Sequence, residues 1–182
     1  MKVSVYIATS LDGFIAREDG SLDWLPGSDG QVDPELGDED FGYKAFFDSV
    51  DTLVMGRNTY EMVQAFGQWP YADKHVIVLS SSLTTLDKTL PNSVELRNCS
   101  ASELHAELAG SNAQHVYVDG GRTIQGFLAA GLIDQITITR IPVLIGSGIP
   151  LFAAVAADIH LQHLETLAFA NGFVQSCYRL RH

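Results

Sequence analysis

Val116-Tyr117-Val118-Asp119-Gly120-Gly121-Arg122-Thr123 reads as a buried, β-branched strand that ends in paired glycines, an arginine and a threonine. The same grammar occurs twice upstream, in Leu53-Val54-Met55-Gly56-Arg57-Asn58-Thr59 and in Val76-Ile77-Val78-Leu79-Ser80-Ser81-Ser82. In an open sheet, ligands collect just beyond the carboxyl ends of the strands. A helix that starts there points unpaired backbone N–H groups at an anion. Three such strand ends in one chain predict a nucleotide cofactor lying across a sheet edge.

Working outward from these runs, strands and helices alternate. Lys2 to Thr9 is the first strand, and Asp12-Gly13 turns the chain into a long polar stretch from Arg17 to Glu39, anchored by Trp24 and Leu25. Apolar spacing predicts a helix from Asp40 to Ser49. A strand from Thr52 to Met55, a helix from Asn58 to Ala65 and strands at Lys74 to Leu79 and Val94 to Leu96 follow. Ser100 caps a helix near Ala101 to Leu108. Gln114 to Val118 is a strand, and Thr123 to Ala130 a helix that ends at Gly131. The rhythm then changes to β-rich segments at Ile133 to Val143, Ile159 to Ala170 and Phe173 to Leu180, the last two joined by a hairpin signal at Asn171-Gly172. The expected architecture is a single α/β domain over residues 1–182. Its central sheet is mixed but mostly parallel, flanked by helices, and closes with a C-terminal antiparallel hairpin.

A formal charge of −11 over 182 residues argues against nucleic acid or anionic membrane as a partner, since both require a basic face. An anionic small molecule can still bind where arginines and helix N-termini make a local positive pocket. The N-terminus enters a strand directly, without a signal-peptide layout, and no run is long and apolar enough for a membrane span. Cys99 and Cys177 are far apart and form no metal pattern, as expected for free thiols in a reducing cytoplasm. The six histidines show no paired ligand spacing, so no metal is expected.

Each candidate site residue has two readings. Gly56 lets a ligand approach the backbone, Thr59 caps a helix or bonds a phosphate oxygen, and Arg57 offers a donor fork suited to a phosphomonoester; equally, these residues form a tight turn with a surface arginine. Leu79-Ser80-Ser81-Ser82 is phosphate chemistry or plain turn chemistry. Gly120 and Gly121 permit an approach that a Cβ would block, but no G-x-G-x-x-G fingerprint is present. Asp40 is a substrate carboxylate or a helix-start acid favoured by the macrodipole. Asp12 orients a polar substrate or makes an Asp-Gly turn.

Taken together, the Gly-Arg-x-Thr turn, the Leu-Ser-Ser strand end and the Gly-Gly turn resemble the dihydrofolate reductase fold family, over nearly the whole chain and in the family's order. The resemblance implies NADPH as cofactor. Arg57, Ser80 and the adjoining Leu79 and Ser81 would lie at the adenosine 2′-phosphate. Gly56, Thr59, Gly120, Gly121, Arg122 and Thr123 would surround the pyrophosphate, and Ala8 and Ile15 would line the nicotinamide pocket. Asp40 matches a buried carboxylate that grips the pterin in folate enzymes, and Thr139 matches the threonine that bonds it. Lys44 departs from the aromatic residue expected under the pterin tail.

Residues 10–16 and 141–152 are more similar to the reductase domain of bifunctional bacterial riboflavin biosynthesis proteins and its small stand-alone relatives, with no zinc deaminase signature. That similarity implies hydride transfer to a small nitrogen-heterocycle substrate, at a C=N or open-chain aldose carbon, as when the ribosyl group of 5-amino-6-(5-phosphoribosylamino)uracil is reduced to ribityl. Asp40 or a water beside it would supply the proton. Asp12, Asp40, Lys44 and Thr139 would lie at the substrate, Trp24 would pack in the lid, and a homodimer would form through the late strands. The alternatives are a true dihydrofolate reductase and a non-catalytic NADPH-binding module.

Overall fold

The computed structural model describes residues 1–26, 39–71 and 73–181. Its main sheet has eight strands in the order β5-β4-β3-β6-β1-β7-β10-β9. These are β1 (Lys2–Ser10), β3 (Thr52–Gly56), β4 (His75–Leu79), β5 (Val94–Arg97), β6 (His115–Asp119), β7 (Gln135–Ile141), β9 (Leu161–Ala168) and β10 (Val174–Leu180). The pairings from β5 across to β7 are all parallel, whereas β10 runs antiparallel to both β7 and β9. A mostly parallel sheet with an antiparallel C-terminal edge is therefore what the chain forms. The short strands β2 (Phe14–Ala16) and β8 (Ile149–Pro150) pair separately beside the rim.

The parallel strands carry unbroken apolar runs because both faces are covered. On one face Val54, Val116 and Val118 pack under Leu104 and Leu108 of α3 (Ala101–Ala109) and Ile124 and Phe127 of α4 (Gly121–Ala129). On the other, Leu53, Met55, Val76 and Tyr117 meet Phe46 of α1 (Tyr43–Ser49) and Tyr60 of α2 (Arg57–Ala65). Ser100 caps α3 in a reciprocal box with Glu103, as expected. The α4 helix ends in a left-handed Gly131, φ 67°.

The first helix departs from expectation. It begins at Tyr43 rather than Asp40, because Phe41 (φ 56°) and Gly42 (φ 83°) are both left-handed and break any helical path through them. Among the described residues Phe41 is the one non-glycine with positive φ. The C-terminal strands are shorter than their β-rich segments, and Asn171-Gly172 lies in the connection between them. Of the stretch from Arg17 to Glu39, residues 27–38 lie outside the described set. Trp24 is buried against Ile141 and Phe173.

Candidate active site

The three strand ends meet. The β3–β6 and β3–β4 registers place Met55 beside Asp119 and Gly56 beside Leu79, so the runs finish at one level of the carboxyl rim. A methyl group on Gly56 would stand 2.9 Å from Thr123 Oγ1, and one on Gly120 would drive into Thr59 Oγ1. A Cβ on Gly121 would stand 2.8 Å from Ile15 Cδ1. Each glycine therefore exists to let a neighbouring motif close in. Gly120, at φ 87°, also adopts a backbone that other residues rarely take.

Two helices start at this junction, α2 after Gly56 and α4 after Gly120, and neither has a side-chain cap. The contrast with α3, whose first turn is fully capped by its own residues, is chemical. At the rim the orphan N–H groups and positive dipole ends remain for an anion. Arg57 opens α2 and extends along the rim: its Nη1 lies 3.3 Å from Ser82 Oγ, and Nε lies 3.7 Å from Glu61. Ser80 Oγ accepts the N–H groups of Ser82 and Leu83, shaping the serine turn opposite Arg57. Ser81 and Arg122 are exposed on this same rim, and Leu79 is half-buried beneath it. The turn reading and the phosphate reading of the serines thus coexist, one supporting the other.

A cleft of about 300 Å³ opens on the α1 face of the sheet, lined by Tyr6, Ala8, Phe41, Tyr43, Thr139 and Ile141 among others. Ala8 and Thr139 are register partners on β1 and β7. Ala8 and Thr139 are brought together at this cleft; Asp12 and Lys44 are not part of its lining.

Asp40 corrects the expectation of a buried, ring-gripping carboxylate. It is exposed at the cleft mouth, and its two oxygens accept the N–H groups of Gly42 (2.9 Å) and Lys44 (3.0 Å). Those bonds hold its carboxyl below the usual range, so it stays an anion engaged in starting α1. Thr139 does not meet it; Thr139 Oγ1 accepts from Gln175 Nε2 at 2.9 Å. Lys44 points to solvent and pairs with Asp48 at 2.6 Å. Asp12 is a loop clamp: Oδ1 accepts from Ser10 Oγ at 2.6 Å and Oδ2 from the Gly146 N–H at 2.8 Å. Those bonds, the Ser10 one foremost, hold its carboxyl below the usual range.

Sequence reasoning passed over the most perturbed carboxyl. Asp119 closes β6 on the same face as Tyr117, since side chains alternate along a strand. Burial pushes its carboxyl up to about 6, against the bond it accepts from the Gly120 N–H at 2.8 Å. Tyr43, which lines the cleft, is pushed up to about 12 by burial and then by the charge of Asp119. A carboxyl closing an apolar strand immediately before paired glycines was the available signal. Gln175, Tyr6 and Phe41 gave none.

The whole-chain pattern has a family. The model of the RibD C-terminal domain matches residues 1–175. This chain belongs to that family. A putative riboflavin biosynthesis protein from Shewanella sp. PV-4 has the same fold at TM-score 0.90, with 38% identity and full coverage of both chains. The Thermotoga maritima diaminohydroxyphosphoribosylaminopyrimidine deaminase/5-amino-6-(5-phosphoribosylamino)uracil reductase superimposes at TM-score 0.69 and 16% identity. It covers 99% of this chain, which spans 56% of that longer protein. Dihydrofolate reductase from Enterococcus faecalis, solved with NADP(H), gives TM-score 0.67 at 18% identity, covering 100% of this chain and 97% of its own. The last two share the fold. The family is that of the C-terminal reductase-like domain of riboflavin biosynthesis proteins. No helix among the described residues is long and apolar enough to cross a membrane.

Proposed function

We propose that this chain is an NADPH-dependent reductase that passes hydride to a small nitrogen heterocycle of the 5-amino-6-(5-phosphoribosylamino)uracil type. The observation that carries this is the convergence of Gly56, Thr59, Gly120 and Thr123 at two uncapped helix starts, with Arg57 reaching along the rim to Ser82. The two uncapped helix starts that these close-packed turns bring together fit a pyrophosphate, which needs N–H donors. The Arg57–Ser80–Ser82 corner fits a further phosphate on the ribose, where a bare hydroxyl would instead favour a carboxylate. Ala8 and Ile15 would border the nicotinamide. When bound, that ring supplies hydride.

The protein's own residues orient the acceptor and deliver a proton. Asp119, whose charge reaches the cleft-lining Tyr43, is the candidate to hold that proton: burial raises its carboxyl to about 6, so a minor fraction keeps its proton at neutrality. Asp40, kept ionised by two backbone donors, shapes the cleft mouth and α1. The pairing of Thr139 with an amide, where a folate enzyme has a carboxylate, favours a pyrimidine over dihydrofolate.

The active unit is a cytoplasmic homodimer joined through β9. All eight residues of this edge strand are exposed, Leu161, Leu164 and Leu167 included. An apolar open edge of that length is otherwise an aggregation hazard, and sedimentation velocity reads the dimer directly.

Fluorescence titration with NADPH and NADH, followed by NADPH oxidation against the phosphoribosylaminouracil and dihydrofolate, tests the assignment. Tight NADPH binding with turnover of the pyrimidine supports it. Preference for dihydrofolate makes the protein a folate reductase, and binding without turnover of either makes it a cofactor-binding module.

A further inference from the structure

Gln175 lies on β10, only 8% exposed, and is not among the residues lining the cleft. Its amide nitrogen reaches three oxygens from three other segments. These are Thr139 Oγ1 on β7 at 2.9 Å, the Tyr6 hydroxyl on β1 at 2.8 Å and the Phe41 carbonyl at 3.1 Å. The Tyr6 hydroxyl also donates to that same Phe41 carbonyl. All three partners line the cleft.

The Phe41 carbonyl is the centre of this network, and Phe41 is the residue whose backbone needs holding. At φ 56° an aromatic residue persists only where its surroundings over-determine it, and such positions cluster at ligand clamps. Held there, the ring stacks on Phe173 (5.2 Å between centroids, 27°) and meets Phe169 edge-on (4.8 Å, 86°). The result is a fixed aromatic wall facing Ala8 and Thr139.

We propose that Gln175 is a positioning residue for the heterocyclic ring of the substrate, which holds the attached ribosyl carbon in place to accept hydride. It locks the Phe41 wall through the Phe41 carbonyl, and it engages the Tyr6 and Thr139 hydroxyls so that the floor presents an uncharged surface to a planar, neutral ring. Only an amide does both. A carboxylate of the same shape would set its oxygen against the Phe41 carbonyl, and an aliphatic side chain would leave Thr139 without this donor. The inference rests on the reductase reading and deepens it by naming an uncharged ring as the part of the substrate the cleft holds and a residue outside the cleft lining as what selects it.

The test uses the full chain with Gln175→Glu, nearly isosteric, Gln175→Leu, and Tyr6→Phe as an independent cut of the same network. The probe is a 6-aminouracil riboside titrated calorimetrically into the NADP+-loaded protein, with NADPH affinity measured separately. Both Gln175 variants are expected to weaken the riboside about tenfold or more while NADPH affinity changes less than about twofold. Tyr6→Phe combined with Gln175→Leu should fall short of the sum of the single effects, as coupled partners do. Unchanged riboside affinity, or a parallel loss of NADPH affinity, overturns the positioning role. Should Gln175→Leu not fold, the Glu variant decides. A wild-type protein that binds NADP+ but no riboside removes the reductase reading itself, before any variant is made.

Discussion

Replacing Arg57 by alanine tests the cofactor assignment at the point where the two nicotinamide dinucleotides differ. The guanidinium is 45% exposed, lies 3.3 Å from Ser82 Oγ and makes a loose contact with Glu61 one helical turn on. A charge-assisted hydrogen bond is worth about 1.5–3 kcal/mol when well shielded. Half exposure and competition from Glu61 put Arg57 at the low end, about 1.5–2 kcal/mol. That is about ten- to thirtyfold in the NADPH dissociation constant. NADH carries no phosphate at that corner, so its affinity should move by less than about twofold. Arg57→Lys keeps the charge but loses the fork, and should fall between the two. Raising the salt concentration should weaken NADPH binding to the wild type more than to Arg57→Ala, because the lost contact is a half-exposed electrostatic one. Fluorescence titration with both cofactors reads all of this. Equal losses for NADPH and NADH would mean that Arg57 merely supports the start of α2. An unchanged NADPH affinity would remove the phosphate corner altogether.

Three further substitutions probe the rest of the rim. The Asp119 carboxyl lies at about 6 when folded against an ordinary 3.8. The folded state therefore holds the extra proton between these values, and stability is greatest below the window and falls as pH rises through it. Asp119→Asn should abolish that fall in urea melts. It should also lose about a hundredfold in kcat/KM, together with the decline in rate above about pH 6 that a protonated donor imposes; a variant that keeps this alkaline limb shows that the acid lies elsewhere. Gly120→Ala meets both a left-handed backbone and the Thr59 hydroxyl, and should lose about 2 kcal/mol or more of stability together with cofactor binding; a Tm equal to wild type would refute the close packing of the two turns. Asp40→Asn preserves a capping side chain and should retain activity within a few-fold, whereas a collapse in kcat with unchanged cofactor affinity would return the catalytic role to Asp40.

What the sequence disclosed, it disclosed locally. The strand ends at Gly56, Ser80 and Gly120 were legible because each combines a buried apolar run with residues whose backbone freedom or hydroxyls have few other uses at that place. Ser100 was legible as a cap for the same reason: the N–H it accepts lies within one turn. The start of α1 was not. Phe41 has no intrinsic preference for a left-handed backbone, and the group that holds it, Gln175, is 134 residues away. The apolar periodicity of Phe41, Ala45 and Phe46 therefore suggested a longer helix than the chain forms. The exposure of Asp40 was not legible either, because a match counted back from Gly56 carries no information on the turn at Phe41 and Gly42 that sets its direction. The raised carboxyl of Asp119 was hidden because its burial is tertiary, produced by packing on the α1 face of the sheet. The strands β2 and β8, three and two residues long, lie below any periodic signal.

The rim divides by charge, and β6 is the seam. Toward β4 lie the exposed Arg57, the serine turn and two uncapped helix starts, all suited to an anion in a protein of net charge −11. Toward β10 the cleft floor is uncharged, built from Ala8, Phe41 and hydroxyls engaged by the Gln175 amide, with the Asp40 carboxylate confined to its mouth. Gly120 stands against Thr59 on the anionic side, and the charge of Asp119, one residue earlier, is felt by Tyr43, which lines the cleft. The N–H of Gly120 is also the donor that Asp119 accepts, so the two neighbours are mechanically and electrically joined. A phosphate drawn to this peptide would compete for that N–H and add negative charge nearby. Both changes raise a carboxyl further and keep its proton in place.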